Sequence, residues 1–277
     1  MTAASLADNL FSSYDIPRGR SVQWAQIATR TIYFGHQSVG TDILSGVHYW
    51  NDQLTLRLRL LQAYDAATVS GPGLVHFAAG QNRDFASKNA AILRFLASRP
   101  RPDGAIVLWK YCYVDIDSGT DVESLFEEYR ATVAAIAADH PDVTVVHTTV
   151  PLTNPVESAF KARAKHFLGR DTLRAAAVAR HAYNNFIRTE YADREPLFDI
   201  AKAESTRTDG ARASFALAGA NIETLAAEYT SDGGHLNAHG QQVVAREFLD
   251  VIAEVVDAAS PARGIDLSGS GFSRALS

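Results

Sequence analysis

The hydrophobic pattern of the chain alternates between two kinds of segment. Short runs of apolar and β-branched residues are typical of buried strands, and they predict strands at residues 31–34, 58–62, 74–77, 104–109, 143–148 and 197–200. Elsewhere apolar residues recur every three or four positions, which predicts a helix beginning near residue 42 and further helices at 85–98, 123–140, 173–191 and 240–258. Strands separated by helices imply right-handed crossovers, so we predict a mostly parallel sheet covered by helices on both faces.

A single domain accounts for this pattern. A chain of 277 residues can bury a full core, and it fits one large α/β domain better than two small ones. We predict that residues 1–258 form this domain, with an irregular excursion at 205–220. Residues 259–277 are predicted to form a loosely ordered C-terminal tail.

Composition and charge narrow the functional classes. The apolar fraction of 47% and the charged fraction of 21% are those of an ordinary globular protein. The net charge is −5 and no basic stripe is present, so we predict no nucleic-acid partner. Cys112 is the single cysteine, which excludes an intrachain disulfide and a cysteine-based zinc site.

The apolar runs are also too short for a membrane segment. No run approaches the ~18 consecutive apolar residues that a spanning helix needs. The first 30 residues carry several charges and no continuous apolar stretch, unlike a signal peptide. We therefore predict no membrane association and a cytoplasmic location.

Ser38 is a candidate nucleophile. It follows the first predicted strand and lies between Gly35 and Gly40, which allow a sharp turn before the next helix. Sites in open parallel sheets form at the carboxyl ends of the strands, and a helix N-terminus beside Ser38 would stabilise developing negative charge. The alternative is that Ser38 only caps the helix.

Asp232 and His235 are the candidate acid–base pair. An acid three residues before a histidine can hold one imidazole nitrogen while the other takes the Ser38 proton. Such a geometry requires Ser38 Oγ within about 3.5 Å of His235 Nε2. The alternative is a polar turn that caps the last helix through Asn237, and both descriptions can hold together.

A nucleophilic serine near the N-terminus and Asp-x-x-His near the C-terminus occur in this order in the SGNH (GDSL-like) hydrolases, which this sequence resembles over roughly residues 30–258. The resemblance implies a three-layer α/β/α sandwich of the SGNH/flavodoxin-like kind. It also implies that the Gly80 backbone N–H serves as an oxyanion donor, and Asn82 could add a side-chain amide. The first block departs from Gly-Asp-Ser, because His36 and Gln37 precede the serine here.

The block after the fourth predicted strand departs further. The family usually has Gly-x-Asn-Asp there, whose Asn completes the oxyanion hole, whereas residues 109–115 read Trp-Lys-Tyr-Cys-Tyr-Val-Asp. Lys110 could replace that Asn as a cationic donor, bind a substrate carboxylate, or pair structurally with Asp115 or Asp117. His36 could line the pocket or donate to the oxyanion, or it could be a satisfied structural histidine.

Two other site classes have weaker support. Among the histidines at 36, 76, 147 and 235, no two have His-x-x-x-His or another clustered ligand spacing, so we predict no metal and no cofactor. The carboxylates Asp115, Asp117, Asp199 and Glu204 leave a two-carboxylate glycosidase open, since sequence does not give the separation that such a mechanism requires.

The sequence therefore predicts a serine hydrolase with a Ser38–His235–Asp232 triad. By resemblance, its substrate would be a small-molecule or glycan ester, such as an O-acetyl group on a carbohydrate. Acyl transfer to a glycan through the same triad is one alternative. A non-catalytic glycan-binding protein on the same fold is another. The pattern predicts no particular oligomeric state.

Overall fold

Parallel strands with intervening helices make up the core of the protein. A computed structural model describes residues 18–99, 104–155 and 173–259. The helices and strands in chain order are α1 (Arg18–Gln26), β1 (Thr31–His36), α2 (Ser38–Leu54), β2 (Leu60–Gln62), β3 (Gly73–Ala78), α3 (Phe85–Ala97), β4 (Ile106–Trp109), α4 (Val122–Asp139), β5 (Thr144–Val145), β6 (His147–Thr148), α5 (Leu173–Tyr191), β7 (Leu197–Phe198), α6 (Ile200–Ser205), β8 (Ser214–Leu217), β9 (Ala220–Glu223) and α7 (Ala238–Ala258).

The central sheet has the order β2-β3-β1-β4-β5, and every neighbouring pair is parallel. Strand β6 continues the direction of β5, since Val146 N donates to Val107 O at 2.8 Å, and β7 pairs with β6 in parallel. After β1, the chain forms β2 and β3 on one side of β1 and then β4 and β5 on its other side. This reversal creates a crevice at the carboxyl ends of the strands, where ligands bind in open α/β sheets.

Helices cover both faces of the sheet, as alternation along the strands requires. Phe34 of β1 and Leu108 of β4 belong to the cluster that includes Phe248 of α7. Tyr33 and Val107, one residue earlier in each strand, belong to the second cluster with α3, α4 and α5. The predicted mostly parallel sheet and three-layer α/β/α arrangement are confirmed.

Helices α2 and α7 pack closely because α2 carries a glycine at their contact. A Cβ at Gly46 would lie 2.0 Å from Gln241 O and 2.6 Å from the Ala245 Cβ. No side chain fits there without separating the backbones, so Gly46 permits the close approach. The two helices that begin at the candidate site are thereby held in a fixed relation.

Two sequence predictions need correction. Helix α2 begins at Ser38 rather than near residue 42, because buried Val39 and Ile43 extend its apolar stripe backward by one turn. The region predicted as irregular, residues 205–220, includes β8 and the turn of the antiparallel hairpin β8–β9. Its two-residue turn has Ala218 at φ 48 and Gly219 at φ 84, and alanine is an uncommon residue at such a position.

Other predictions about the ends of the chain are not addressed by these elements. Residues 260–277 of the predicted tail lie outside the described part of the chain. None of the helices within the described ranges combines the length and the apolarity that crossing a membrane would require.

Candidate active site

The turn between β1 and α2 presents Ser38 at the surface. Gln37 is the N-cap residue, yet its side chain makes no capping hydrogen bond, and Ser38 is exposed as the first residue of α2. In the described part of the chain, the backbone N–H groups of Ser38 and Val39 have no hydrogen-bond acceptor. Free N–H groups at a helix start favour an incoming negative charge.

Neighbouring residues explain why this turn is built as it is. Gln37 Nε2 donates instead to Gly80 O at 2.6 Å, which connects the turn before α2 to the loop after β3. His36 lies under the first turn of α2, where a Cβ at Gly40 would be 2.3 Å from the His36 Cβ. Gly40 is therefore needed to make room for the buried imidazole.

His36 is held by two hydrogen bonds and does not reach the surface. Its Nδ1 lies 3.0 Å from Gln37 O, and its Nε2 lies 3.1 Å from His76 Nδ1. The carbonyl accepts only, so Nδ1 carries the proton and Nε2 accepts from His76. Burial lowers the pKa of His36 to about 4, so the ring is neutral near pH 7. These contacts fit the structural alternative for His36.

Gly80 lies in the loop after β3, beside Gln37. Its φ is +57°, and an added Cβ would be 2.5 Å from Lys88 N. Both the backbone conformation and the lack of space therefore require glycine. Its N–H donates to no acceptor among the described residues. Two residues on, Asn82 accepts from Lys88 Nζ at 3.1 Å through Oδ1, which leaves its Nδ2 group available as a donor.

The turn before α7 brings together Asp232 and His235, the two residues predicted to act as an acid–base pair. Asp232 Oδ2 lies 2.8 Å from His235 Nδ1, and Oδ1 accepts from the backbone N–H groups of His235 and Gly234, each at 2.8 Å. The His235 N–H and imidazole, with Gly234 N–H, hold the pKa of Asp232 below its usual value. Asn237 caps α7 by accepting from Gly240 N at 3.0 Å, so the capping alternative holds as well.

The two turns are joined through Asp42. Asp42 stands one helical turn after Ser38, about 6 Å along the axis and on a neighbouring part of the same face. Its Oδ2 accepts from Leu236 N at 3.1 Å, next to His235. The expected hydrogen bond between Ser38 Oγ and His235 Nε2 is not formed, and neither atom has another hydrogen-bond partner in the described ranges. Catalytic hydrogen bonds are often long without substrate and tighten when it binds.

Lys110 does not form either predicted ion pair. It follows β4 and donates its backbone N–H to Gly35 O at 3.2 Å, but its side chain is fully buried with Nζ 3.5 Å from Cys112 Sγ. Asp115 pairs with Lys88 instead, and Asp117 accepts from Gly119 N at 3.0 Å. Burial lowers the pKa of Lys110. Its complete burial leaves it without contact to the surface where substrate would bind.

The remaining carboxylates each have a separate structural environment. Asp199 binds the guanidinium of Arg188 and caps α6. Glu204 is fully buried, accepts from Leu152 N at 2.5 Å, and has its pKa raised by burial to about 8. No group of three His, Cys, Asp or Glu side chains within the described ranges is arranged to hold a metal ion.

A groove of 480 Å³ runs beside the acid–base turn. Its wall includes Asp232, Gly234 and Tyr113, and a Cβ at Gly234 would be 2.8 Å from the Tyr113 hydroxyl. Apart from Asp232, the described lining is uncharged, with hydroxyl and amide groups from Thr153, Asn154, Thr230 and Ser231. The groove suits a neutral ligand rich in hydrogen-bonding groups.

Solved structures similar to this chain include the kinds of protein that the sequence resemblance indicated. A carbohydrate esterase family 3 protein from Talaromyces cellulolyticus is 12% identical, with a TM-score of 0.45, over 83% of this chain and 100% of that one. The periplasmic domain of a lipopolysaccharide acetyltransferase from Salmonella ser. Paratyphi A is 10% identical, with a TM-score of 0.44, over 86% and 89%. A protein from Desulfitobacterium hafniense DCB-2 assigned to the G-D-S-L family of lipolytic proteins is 8% identical, with a TM-score of 0.44, over 80% and 98%.

No protein-family model matches the sequence, and no curated protein matches it. At such low identities and TM-scores, the similarities to solved structures carry no argument about chemistry. We therefore base the chemistry on the residues of this chain alone.

Sequence reasoning missed three residues that organise the site. Asp42 was detectable as the position one turn after Ser38 on the same helix. Gln37 could not be distinguished from an ordinary surface residue, because its partner is the carbonyl of Gly80, distant in sequence. Lys88 interrupts the apolar stripe of α3 at a buried position, which is a signal that a charged partner is required.

Proposed function

We propose that the protein is a serine hydrolase that cleaves a carboxylic ester through Ser38, His235 and Asp232. One observation carries the proposal. The Asp232–His235 pair leaves Nε2 without a partner in the described structure, and Asp42 connects its turn to the helix that begins at Ser38. An oriented base, in a turn linked to an exposed hydroxyl at an uncapped helix start, is an arrangement that supports nucleophilic catalysis.

In the proposed reaction, Asp232 holds the proton of His235 on Nδ1, so that the neutral Nε2 can accept the Ser38 proton. Ser38 Oγ attacks the ester carbonyl and forms a tetrahedral intermediate. The imidazolium then returns the proton to the leaving alcohol, and the C–O bond to that alcohol breaks. Water, activated by the same imidazole, hydrolyses the acyl-enzyme and restores the serine.

The oxyanion would be stabilised by the backbone N–H groups of Ser38 and Gly80, both free of other acceptors among the described residues. Asn82 Nδ2 would be the third donor, in the role that the family gives to an Asn after the third strand of its motif. We do not assign Lys110 to the oxyanion, since its ammonium group is buried against Cys112. The removal of one such donor typically costs about 10²–10³-fold in kcat.

For the substrate, we propose an O-acyl group, such as acetate, on a carbohydrate. The groove beside Asp232 supplies hydroxyl and amide groups with no cation in its described wall, which suits a neutral polyol better than an anionic lipid head group. The aromatic ring of Tyr113 gives that groove one apolar surface. Ser38 is exposed, which favours water over a second alcohol as the acceptor of the acyl group.

The replacement of Ser38 by Ala tests the proposal. We expect Ser38→Ala to abolish labelling by a fluorophosphonate and to lower p-nitrophenyl acetate turnover on the order of 10⁶-fold, to background. Ser45→Ala is the matched control, because Ser45 is exposed on the same helix and its hydroxyl bonds only Thr41 O. Full turnover in Ser38→Ala would overturn the proposed nucleophile. Turnover that depends on an added sugar would instead indicate acyl transfer.

A further inference from the structure

A buried ion pair lies behind the two loops that flank the candidate oxyanion site. Lys88, in the first turn of α3, contacts Asp115, in the loop after β4, and both side chains have 0% exposure. Neither residue belongs to the triad or lines the groove beside Asp232. A buried pair of this kind contributes little net stability compared with well-packed apolar residues, so its presence calls for another reason.

The pair connects the loops after β3 and β4 through hydrogen bonds. Asp115 Oδ1 accepts from Arg83 N at 2.6 Å, and Asp115 Oδ2 accepts from Cys112 N at 2.6 Å. Lys88 Nζ donates to Asn82 Oδ1 at 3.1 Å in addition to its contact with Asp115. All three bonds end on residues that follow the carboxyl ends of the strands.

The backbone beside Asn82 is strained and is held in place by this pair. Arg83 has φ +65°, a conformation that side-chain-bearing residues rarely adopt. The hydrogen bond from Arg83 N to buried Asp115 fixes that peptide, which is the one that follows Asn82. Strain of this kind persists only where the surroundings determine the conformation, and it concentrates at functional sites.

We propose that Lys88 and Asp115 are positioning residues that aim the Asn82 amide at the oxyanion. This inference rests on the proposed esterase function. It would explain how an oxyanion donor is supplied although the block after β4 contains no Asn. Lys88 binds the amide oxygen of Asn82, so Nδ2 is directed away from the ammonium group and remains free to donate. Asp115 fixes Lys88 and the next peptide, so the amide is held at both its side chain and its backbone.

A double-mutant cycle between Asn82→Ala and Lys88→Met tests this role with p-nitrophenyl acetate as the substrate. We expect Asn82→Ala to lower kcat about 10²-fold with little change in KM, because the lost donor acts on the transition state. Lys88→Met should lower kcat similarly in the natural background, yet less than about threefold further when Asn82 is already Ala. The Tm of all four proteins reports the effect of Lys88→Met on the fold separately from its effect on kcat.

Two further variants keep the test decisive. Gln81→Ala, an exposed neighbour whose described hydrogen bonds are made by its backbone N and O, should leave kcat and KM unchanged. If Lys88→Met does not fold, Lys88→Met with Asp115→Asn removes both charges together and leaves no unpaired buried charge. That double variant should fold and still show the kcat loss that depends on Asn82.

The outcomes separate the two proposals. Equal losses of kcat from Lys88→Met in both Asn82 backgrounds would overturn the positioning role, because the pair would then serve only the fold. A kcat for Asn82→Ala within twofold of the natural enzyme would overturn it too. Failure of the proposed function would appear differently. Ser38→Ala would then keep full turnover and labelling, with either residue at position 82 or 88.

Discussion

The helices α2 and α7 both begin at the carboxyl edge of the sheet, but their first turns are built in opposite ways. Asn237 caps α7 by binding Gly240 N, and Asp232 accepts two backbone N–H groups just before it. At α2, Gln37 leaves the first N–H groups free and binds Gly80 O instead. One helix start has its donors satisfied by the chain, whereas the other leaves its first donors without an acceptor among the described residues.

This difference assigns distinct tasks to the two turns. A satisfied turn is rigid, which suits a base that must hold one tautomer and one orientation. Backbone N–H groups without acceptors at a helix start lower stability. At α2 these groups lie where we expect a negative charge to develop. The other described helices with identified side-chain caps, α3, α4 and α6, each have an aspartate cap, so α2 stands apart from them.

Apart from removal of the Ser38 hydroxyl itself, the largest expected effect is on the satisfied turn. Asp232→Asn should lower kcat about 10⁴-fold, because the amide no longer stabilises the imidazolium or selects the Nδ1–H tautomer. Asp232 is exposed, so the Tm should change little. Kinetics with p-nitrophenyl acetate and a thermal melt measure both quantities. A kcat within tenfold of the natural enzyme would remove Asp232 from the triad.

A change of pH should affect the turn before α2 through His36. The folded-state pKa of about 4 lies below the unfolded value of about 6.5, so the contribution of neutral His36 is complete above pH 6.5. It is lost as the pH falls from 6.5 through 4, by up to about 3 kcal/mol. His36→Gln cannot titrate there, so the difference in unfolding free energy between the natural protein and this variant should shrink over that range. A difference that does not change between pH 7 and pH 4 would contradict the burial argument.

The smallest expected effects come from exchanging the capping arrangement. Gln37→Ser should cap α2, since serine at this position accepts from the N–H groups of the first turn. We expect kcat to fall about tenfold with a stability change below about 1 kcal/mol, because the gained cap offsets the lost bond to Gly80.

Asn237→Ala is the matched variant on the other helix. It should lower the free energy of unfolding by about 1 kcal/mol and change kcat by less than about threefold. Chemical denaturation and steady-state kinetics measure the two quantities. If both variants affected stability alone, the functional distinction between the two helix starts would be wrong.

The sequence predicted the architecture better than it predicted the site's interior. Burial requires apolar residues at regular spacings along the strands and helices. The sheet and its two helical layers could therefore be predicted from the spacing of apolar residues in the sequence. Asp232 and His235 could be paired because they are three residues apart in one turn. Asn82, Lys88 and Asp115 meet only after folding, and a period of apolar residues says nothing about which charged side chains will share a buried space.

Lys110 shows a similar limit for a residue whose position in the chain was noted but whose burial was not predicted. Its position after β4 was predicted, but whether its side chain would face the solvent or the core depends on packing that is established only after folding. Ala218 illustrates a local limit, because a hairpin turn with alanine at positive φ lacks the Asn or Asp that makes such turns visible in a sequence.

Gly46 has a consequence for how such a protein could change over generations. It lies about 12 Å along α2 from Ser38, well away from any reacting atom, yet it sets how closely α2 approaches α7. Ser38 begins α2 and His235 lies in the turn before α7, so their separation depends on this remote contact as well as on their own turns. A single methyl group at the helix crossing could thus alter the proposed catalysis, with Ser38, His235 and Asp232 left untouched.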